Sequence, residues 1–306
     1  GNGGEIGPRK YVIRENACWM RTQTTINHRP GPMLKAILGP ILLLQGLWVR
    51  LRTPLLPEAD GPRRGRTGAG PGLRLLVAGD SSAAGVGVAS QSEALLGQLI
   101  QALGSAYTVD YRLEARTGAT TAEAIGRLAC QGSEAVDAVV TALGVNDLTA
   151  GRKLSAWLDD QQRLIDFLRA RMRPRVIMLS GLPPVHRFPA LPQPLRWYLG
   201  TGARAYNTAL EALARRNGAI FLPLDFSMDV SLMAADGFHP GRGIYQGWAR
   251  RAADGLRTAL VGGGGAATAS PVLTAPGETP GAGFEPDRTM HPKSRSHEEF
   301  DPCSDC

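Results

Sequence analysis

The sequence predicts an α/β protein built on one parallel sheet with helices on both faces. Three short apolar runs, LRLLVAGD (73–80), AVVTAL (138–143) and RVIMLS (175–180), have the length and composition of strands buried on both sides. Between them lie longer stretches whose apolar residues recur at helical spacing. Strand and helix alternate throughout, and with right-handed crossovers that order gives a parallel sheet covered by helices above and below.

The elements follow in chain order. Leu73–Asp80 is the first strand and ends in a glycine turn, and Ser90–Leu103 carries helical spacing. Tyr107, Val109, Tyr111 and Leu113 then alternate with Thr108, Asp110, Arg112 and Glu114, the period of a strand with one exposed face, expected at a sheet edge. Thr121–Gln131 reads as a helix and 138–143 as a buried strand. From Lys153 a helix places Leu154, Trp157, Leu158, Leu164, Ile165 and Leu168 on one face. The strand 175–180, a helix near 203–216, the strand 219–224 and a last helix near 241–260 complete a five-stranded parallel sheet within residues 73–261.

The flanks differ in composition. Residues 1–32 show no sustained periodicity and are expected to be unstructured; with Met33 read as a translation start, they lie upstream of it. Residues 33–52 form a short apolar segment. Its apolar run, Ala36–Val49, is 14 residues interrupted by Pro40, below the roughly 20 needed to span a bilayer. Three readings compete for it: a membrane-surface or anchor segment, a helix packed on the domain, or a signal peptide. Arg50 and Arg52 follow directly, without the small residues of a cleavage site, which opposes translocation. A cytoplasmic location, or attachment to the cytoplasmic membrane, is therefore expected. Residues 53–72, rich in Pro, Gly and Arg, read as a linker, and 262–306 as a disordered tail.

Composition narrows the function classes. With 43% apolar and 20% charged residues in 306, the chain is neither disordered throughout nor collagen-like. Four cysteines, at 18, 130, 303 and 306, are too few and scattered for a disulfide scaffold or a metal cluster. The net charge of +7 arises in residues 1–72, with 11 basic and 4 acidic residues; the remainder holds 23 of each. The folded part thus has no overall basic excess, and nucleic acid is not an expected partner.

In parallel α/β sheets, ligands bind beyond the carboxyl ends of the strands. The first such loop, Gly79-Asp80-Ser81-Ser82-Ala83-Ala84-Gly85-Val86-Gly87, admits two readings: a phosphate cradle of backbone N–H groups, or a serine nucleophile on a strand-to-helix turn. The GxxxxGK[ST] spacing is absent and no lysine lies nearby. Asp236-Gly237-Phe238-His239-Pro240 offers a base with a carboxylate three residues before it, the pair that a nucleophilic serine needs. The other histidine of the folded part, His186, lies in a proline-rich loop without a neighbouring acid. Asn146, in Gly144-Val145-Asn146-Asp147, either donates its amide to an oxyanion or is a turn residue. Gly118, in Arg116-Thr117-Gly118-Ala119, either brings a backbone N–H to the same point or is a loop glycine.

The blocks GDSS (79–82), Gly118, GVND (144–147) and DGFH (236–239) occur in the order of the SGNH or GDSL hydrolases, and the chain resembles that family over about residues 73–261. The resemblance implies a flavodoxin-like three-layer α/β/α fold and a serine ester hydrolase working through an acyl-serine. Ser81 would be the nucleophile, His239 the base and Asp236 its partner. Ser81, Gly118 and Asn146 would form the oxyanion hole, with no metal or cofactor. The usual leucine after the nucleophile is Ser82 here. A small-molecule ester is the expected substrate, of short to medium acyl length, with thioesters and lysophospholipids as family alternatives and a non-catalytic ligand-binding domain as a further one. In the loop 182–200, Phe188, Trp197 and Tyr198 are expected to wall the substrate pocket.

Overall fold

The computed structural model describes residues 32–132, 134–224 and 230–262. The readings of 1–31 and of 263–306 therefore lie outside the described residues. The chain divides into two units between Leu43 and Leu44, and the sheet and every site residue belong to the second. The first contributes the opening turns of helix α1 (Pro32–Arg52). Among the described residues, no helix is long and apolar enough to cross a membrane.

Among the described residues, six strands form one sheet in the order β1-β3-β2-β4-β5-β6: β1 (Arg64–Gly68), β2 (Gly72–Gly79), β3 (Thr108–Ala115), β4 (Ala138–Ala142), β5 (Val176–Ser180) and β6 (Ile220–Leu222). The five expected strands are present and parallel, in the flavodoxin-like order. The sixth corrects the expectation of a five-stranded sheet. β1 lies within the stretch read as a linker and pairs antiparallel with β3, Gly65 opposite Tyr111. Its sequence, RGRTG, has no apolar residue, so the strand is specified by main-chain pairing and gives no periodic signal.

β3 consequently lies inside the sheet, not at its edge. Its second face is solvated only at the amino end, where Asp110 is exposed, since Arg112 and Glu114 are both buried. Arg64 from β1 donates to Glu114 at 3.0 Å, and Arg112 lies 3.8 Å from the same carboxylate. The alternation holds, but at positions 112 and 114 paired charges occupy the face expected to meet water.

The register aligns Leu75, Ala138 and Val176 in one row, then Leu76, Val139 and Ile177 in the next, on the opposite face. On the first face pack α3 (Leu95–Leu103) and α8 (Arg242–Gly262) through Leu96, Leu99, Trp248, Ala252 and Leu256. The other layer holds α4 (Thr121–Cys130), α6 (Leu154–Met172) and α7 (Leu195–Arg216), with Leu128, Trp157, Leu164, Ile165 and Leu210 buried. Each leucine or isoleucine among them removed from water contributes roughly 1.5–3 kcal/mol. The two one-turn helices α2 (Ser81–Ala84) and α5 (Val145–Thr149) start where β2 and β4 end, side by side at the point where the strand order reverses.

Candidate active site

Ser81 is the first residue of α2. Asp80 caps that turn, its Oδ1 accepting the Ser82 N–H at 2.9 Å, and Gly85 closes it in the left-handed conformation. The Ser81 side chain is held at the carboxyl end of the central strand and is almost fully buried.

His239 reaches Ser81 from the loop before α8, its Nε2 2.9 Å from Ser81 Oγ. On the other side of the ring, Nδ1 lies 2.5 Å from Asp236 Oδ2. The second oxygen of Asp236 accepts the backbone N–H groups of Phe238 and His239, both at 2.9 Å. This local turn is why an Asp three residues before the His suffices: one carboxylate both closes the loop and orients the ring. Burial alone would raise the Asp236 pKa, but the bonds from His239 and from the two backbone N–H groups outweigh it and hold the group below the usual carboxylate range. The loop is closed further by the Ala234 N–H bond to the His239 carbonyl.

Asn146 lies in the first turn of α5. Its Nδ2 donates to the Ala119 carbonyl at 3.0 Å and faces Asp80 Oδ2 at 3.4 Å. The next residue, Asp147, fixes α5 against α4 by accepting the backbone N–H and the hydroxyl of Thr121. Gly118 occupies the turn after β3 with φ +81°, a conformation that favours glycine, and the Ala119 N–H closes that turn onto the Arg116 carbonyl. The loops after β2, β3 and β4 are therefore linked in space, Ser82 N–H to Asp80, Asp80 to Asn146, and Asn146 to the residue after Gly118, and His239 joins them through Ser81.

A cleft opens over Ser81 and His239, with about 710 Å³ of free space counted to its open mouth. Leu143, Leu182, Phe188, Phe238, Ile244 and Trp248 make its apolar walls. Phe188 is one of these walls, edge-on to Phe238 at 5.1 Å between centroids. Trp197 and Tyr198 do not line the cleft. They belong to α7, whose inward face is Leu195, Leu199, Ala203 and Tyr206; positions 197 and 198 fall on the outward face and are 38% and 37% exposed. The walls missed in the sequence come from α8, where Ile244 and Trp248 are four apart on one buried face. His186 is exposed on a single 3₁₀ turn. Among the described residues, no group of three or more His, Cys, Asp or Glu is arranged to hold a metal ion.

Comparison with known proteins points to one family. The GDSL-like lipase/acylhydrolase family matches residues 77–247. Among curated proteins the chain is similar to the GDSL-like esterase Rv1075c of Mycobacterium tuberculosis, 30% identical over 284 residues, covering 84% of this chain and 88% of that one. Among solved structures it is similar to a carbohydrate esterase family 2 enzyme of Corynascus thermopiles (Myceliophthora fergusii), with a TM-score of 0.50 at 17% identity over 67% of this chain and 69% of that one. TesA aligns with a TM-score of 0.49 at 24% identity, over 61% of this chain and 99% of that one.

Proposed function

The chain belongs to the GDSL-like lipase/acylhydrolase family and is a serine ester hydrolase, and from that premise we propose that Ser81 is its nucleophile, His239 the general base and Asp236 the group that orients and stabilises the imidazole. The observation that carries the assignment is the continuous relay from Ser81 Oγ through the His239 ring to Asp236, at 2.9 and 2.5 Å. His239 Nε2 takes the Ser81 proton as Oγ attacks the ester carbonyl, then returns it to the departing alkoxide. Water repeats the sequence on the acyl-serine and releases the acid.

The negative charge on the carbonyl oxygen falls to the N–H groups of Ser81 and Gly118 and the Asn146 amide. Ser81 N–H, at the first position of a helical turn, has no partner within that turn. The 3.4 Å contact from Asn146 to Asp80 is the longer of its two, hence the one an oxyanion replaces. The apolar walls support a small ester with a short to medium acyl group.

The apolar segment 33–52 is assigned to contact with a membrane surface, on the cytoplasmic side. What supports it is the outward face of α1, where Leu44, Leu47, Trp48 and Leu51 are exposed at helical spacing beside Arg50 and Arg52. On the inward face Gln45 anchors the helix, donating to the Gln193 carbonyl at 2.7 Å and accepting the Leu195 N–H at 3.0 Å.

The deciding experiment is hydrolysis of p-nitrophenyl esters from acetyl to palmitoyl by the wild type, Ser81→Ala and His239→Ala, with circular dichroism to confirm folding. Each variant is expected to lose nearly all turnover and Ser81→Ala to escape labelling by a fluorophosphonate. A folded Ser81→Ala protein with wild-type activity sinks the assignment.

A further inference from the structure

The segment before β1 grips two of the three loops that carry the proposed oxyanion donors, those of Gly118 and Ser81. Glu58 is the centre of one grip. Its Oε1 accepts the Thr117 backbone N–H at 2.6 Å and the Thr117 hydroxyl at 2.8 Å, while Oε2 pairs with Arg63 at 2.5 Å. Arg63 in turn donates to the Ala115 carbonyl at 2.9 Å, and its own carbonyl accepts the Leu113 N–H at 2.7 Å. The other grip is on the serine loop: the buried Ala59 donates its N–H to the Ala84 carbonyl, and Gln91 Nε2 bridges the carbonyls of Ala59 and Ala84 at 3.1 and 2.9 Å. Asp60 pairs with the chain at Ala89 and Gln91.

Gly118 needs such support. Its turn is exposed, and a Cβ built on it would meet nothing within 4 Å, so no packing fixes it from that side. What fixes it is hydrogen bonding to its two neighbours, Ala119 by Asn146 and Thr117 by Glu58. The Gly118 N–H belongs to the peptide between Thr117 and Gly118, and its direction depends on where Thr117 is held.

We infer that residues 58–63 are a strap that aims the Gly118 N–H, with Glu58 as the positioning residue: it touches no substrate and acts through Thr117. Burial would raise the Glu58 pKa, but the bonds from Thr117 and Arg63 outweigh it and hold the group below the usual carboxylate range, so the grip is ionised at working pH. The inference rests on the reading of Gly118 as an oxyanion donor and adds a residue outside the stretch that matches the family, 77–247.

The test is steady-state kinetics on p-nitrophenyl acetate for the full chain carrying Glu58→Ala, Glu58→Gln or Asn146→Ala, and ³¹P NMR of each protein phosphonylated on Ser81. Losing one oxyanion donor outright costs on the order of 10²–10³ in kcat, so mis-aiming one predicts a fall of roughly tenfold for Glu58→Ala and several-fold for Glu58→Gln, with KM unchanged. The ³¹P resonance of the adduct shifts in both Glu58 variants, which a change of stability alone does not produce. Should Glu58→Ala fail to fold, the near-isosteric Glu58→Gln decides. Wild-type kcat and an unmoved resonance in the folded Glu58 variants, beside an impaired Asn146→Ala, overturn the strap and leave the oxyanion hole standing. A fully active Asn146→Ala overturns the hole itself.

Discussion

Gly87 and Pro240 pack so closely that a Cβ at position 87 would lie 2.3 Å from the Pro240 carbonyl oxygen, and Gly87 also has φ +106°. The contact joins the loop that carries Ser81 to the residue after His239. Gly87→Ala therefore meets both a backbone it strains and an oxygen it must displace. The expected result is a kcat lowered by on the order of 10- to 100-fold, through a displaced His239. The melting temperature should fall by several degrees, consistent with about 1–2 kcal/mol. Kinetics and a thermal melt on the same preparation check it; an active Gly87→Ala would mean that the two loops adjust independently.

Asn146 has a second duty besides its proposed role at the oxyanion, since it holds the Ala119 carbonyl. Asn146→Ala is expected to lower kcat by roughly 10²–10³ while KM changes little. Asn146→Asp should do no better, because a carboxylate accepts where the amide donates, and it sets a like charge beside Asp80.

Asp80 gives a prediction in pH. Burial pushes its carboxyl up to about 6 despite the Ser82 N–H bond. Between the ordinary value of 3.8 and about 6 the folded protein keeps a proton that the unfolded chain has released. Stability from this group is greatest below that window and declines as pH rises through it, by on the order of 2–3 kcal/mol. Asp80→Asn cannot titrate. Urea midpoints at pH 4 and pH 7 should show a wild type that loses more stability on going to pH 7 than the variant does; equal changes would refute the shift.

The outward face of α1 predicts a charge-dependent lipid interaction. The protein should sediment with vesicles of mixed phosphatidylcholine and phosphatidylglycerol, bind vesicles of phosphatidylcholine alone less, and be released by salt. Leu47→Glu with Trp48→Glu should abolish the binding without changing hydrolysis of p-nitrophenyl acetate. Retained binding in that variant, or a stable dimer that the two substitutions dissolve, would assign the face to something other than lipid.

The sequence was legible where chemistry is local. Asp236 and His239 sit three residues apart on one turn, and Ser81 and Asn146 each follow a short apolar run of the length and composition of a buried strand. It was misleading where helical phase decides. Trp197 and Tyr198 have the composition of a pocket wall, but α7 begins at Leu195 and turns them outward, while Trp248 is carried to the cleft by a helix assigned no part in the site. It was silent where distant polar groups meet. Nothing in RGRTG announces a strand, and the bond from Glu58 to Thr117 spans 59 positions.

The antiparallel strand β1 also shortens the open edge of the sheet. An open row of N–H and C=O groups recruits strands from neighbouring chains, and the eight residues of β3 would present such a row. β1 covers part of it with only five residues, two of them arginines, and the opposite margin is only the three residues of β6. A segment with no apolar residue thus shortens the open margin of the sheet, and a chain begun at Gly72, with all of β3 uncovered, is expected to self-associate more than the full chain in analytical ultracentrifugation.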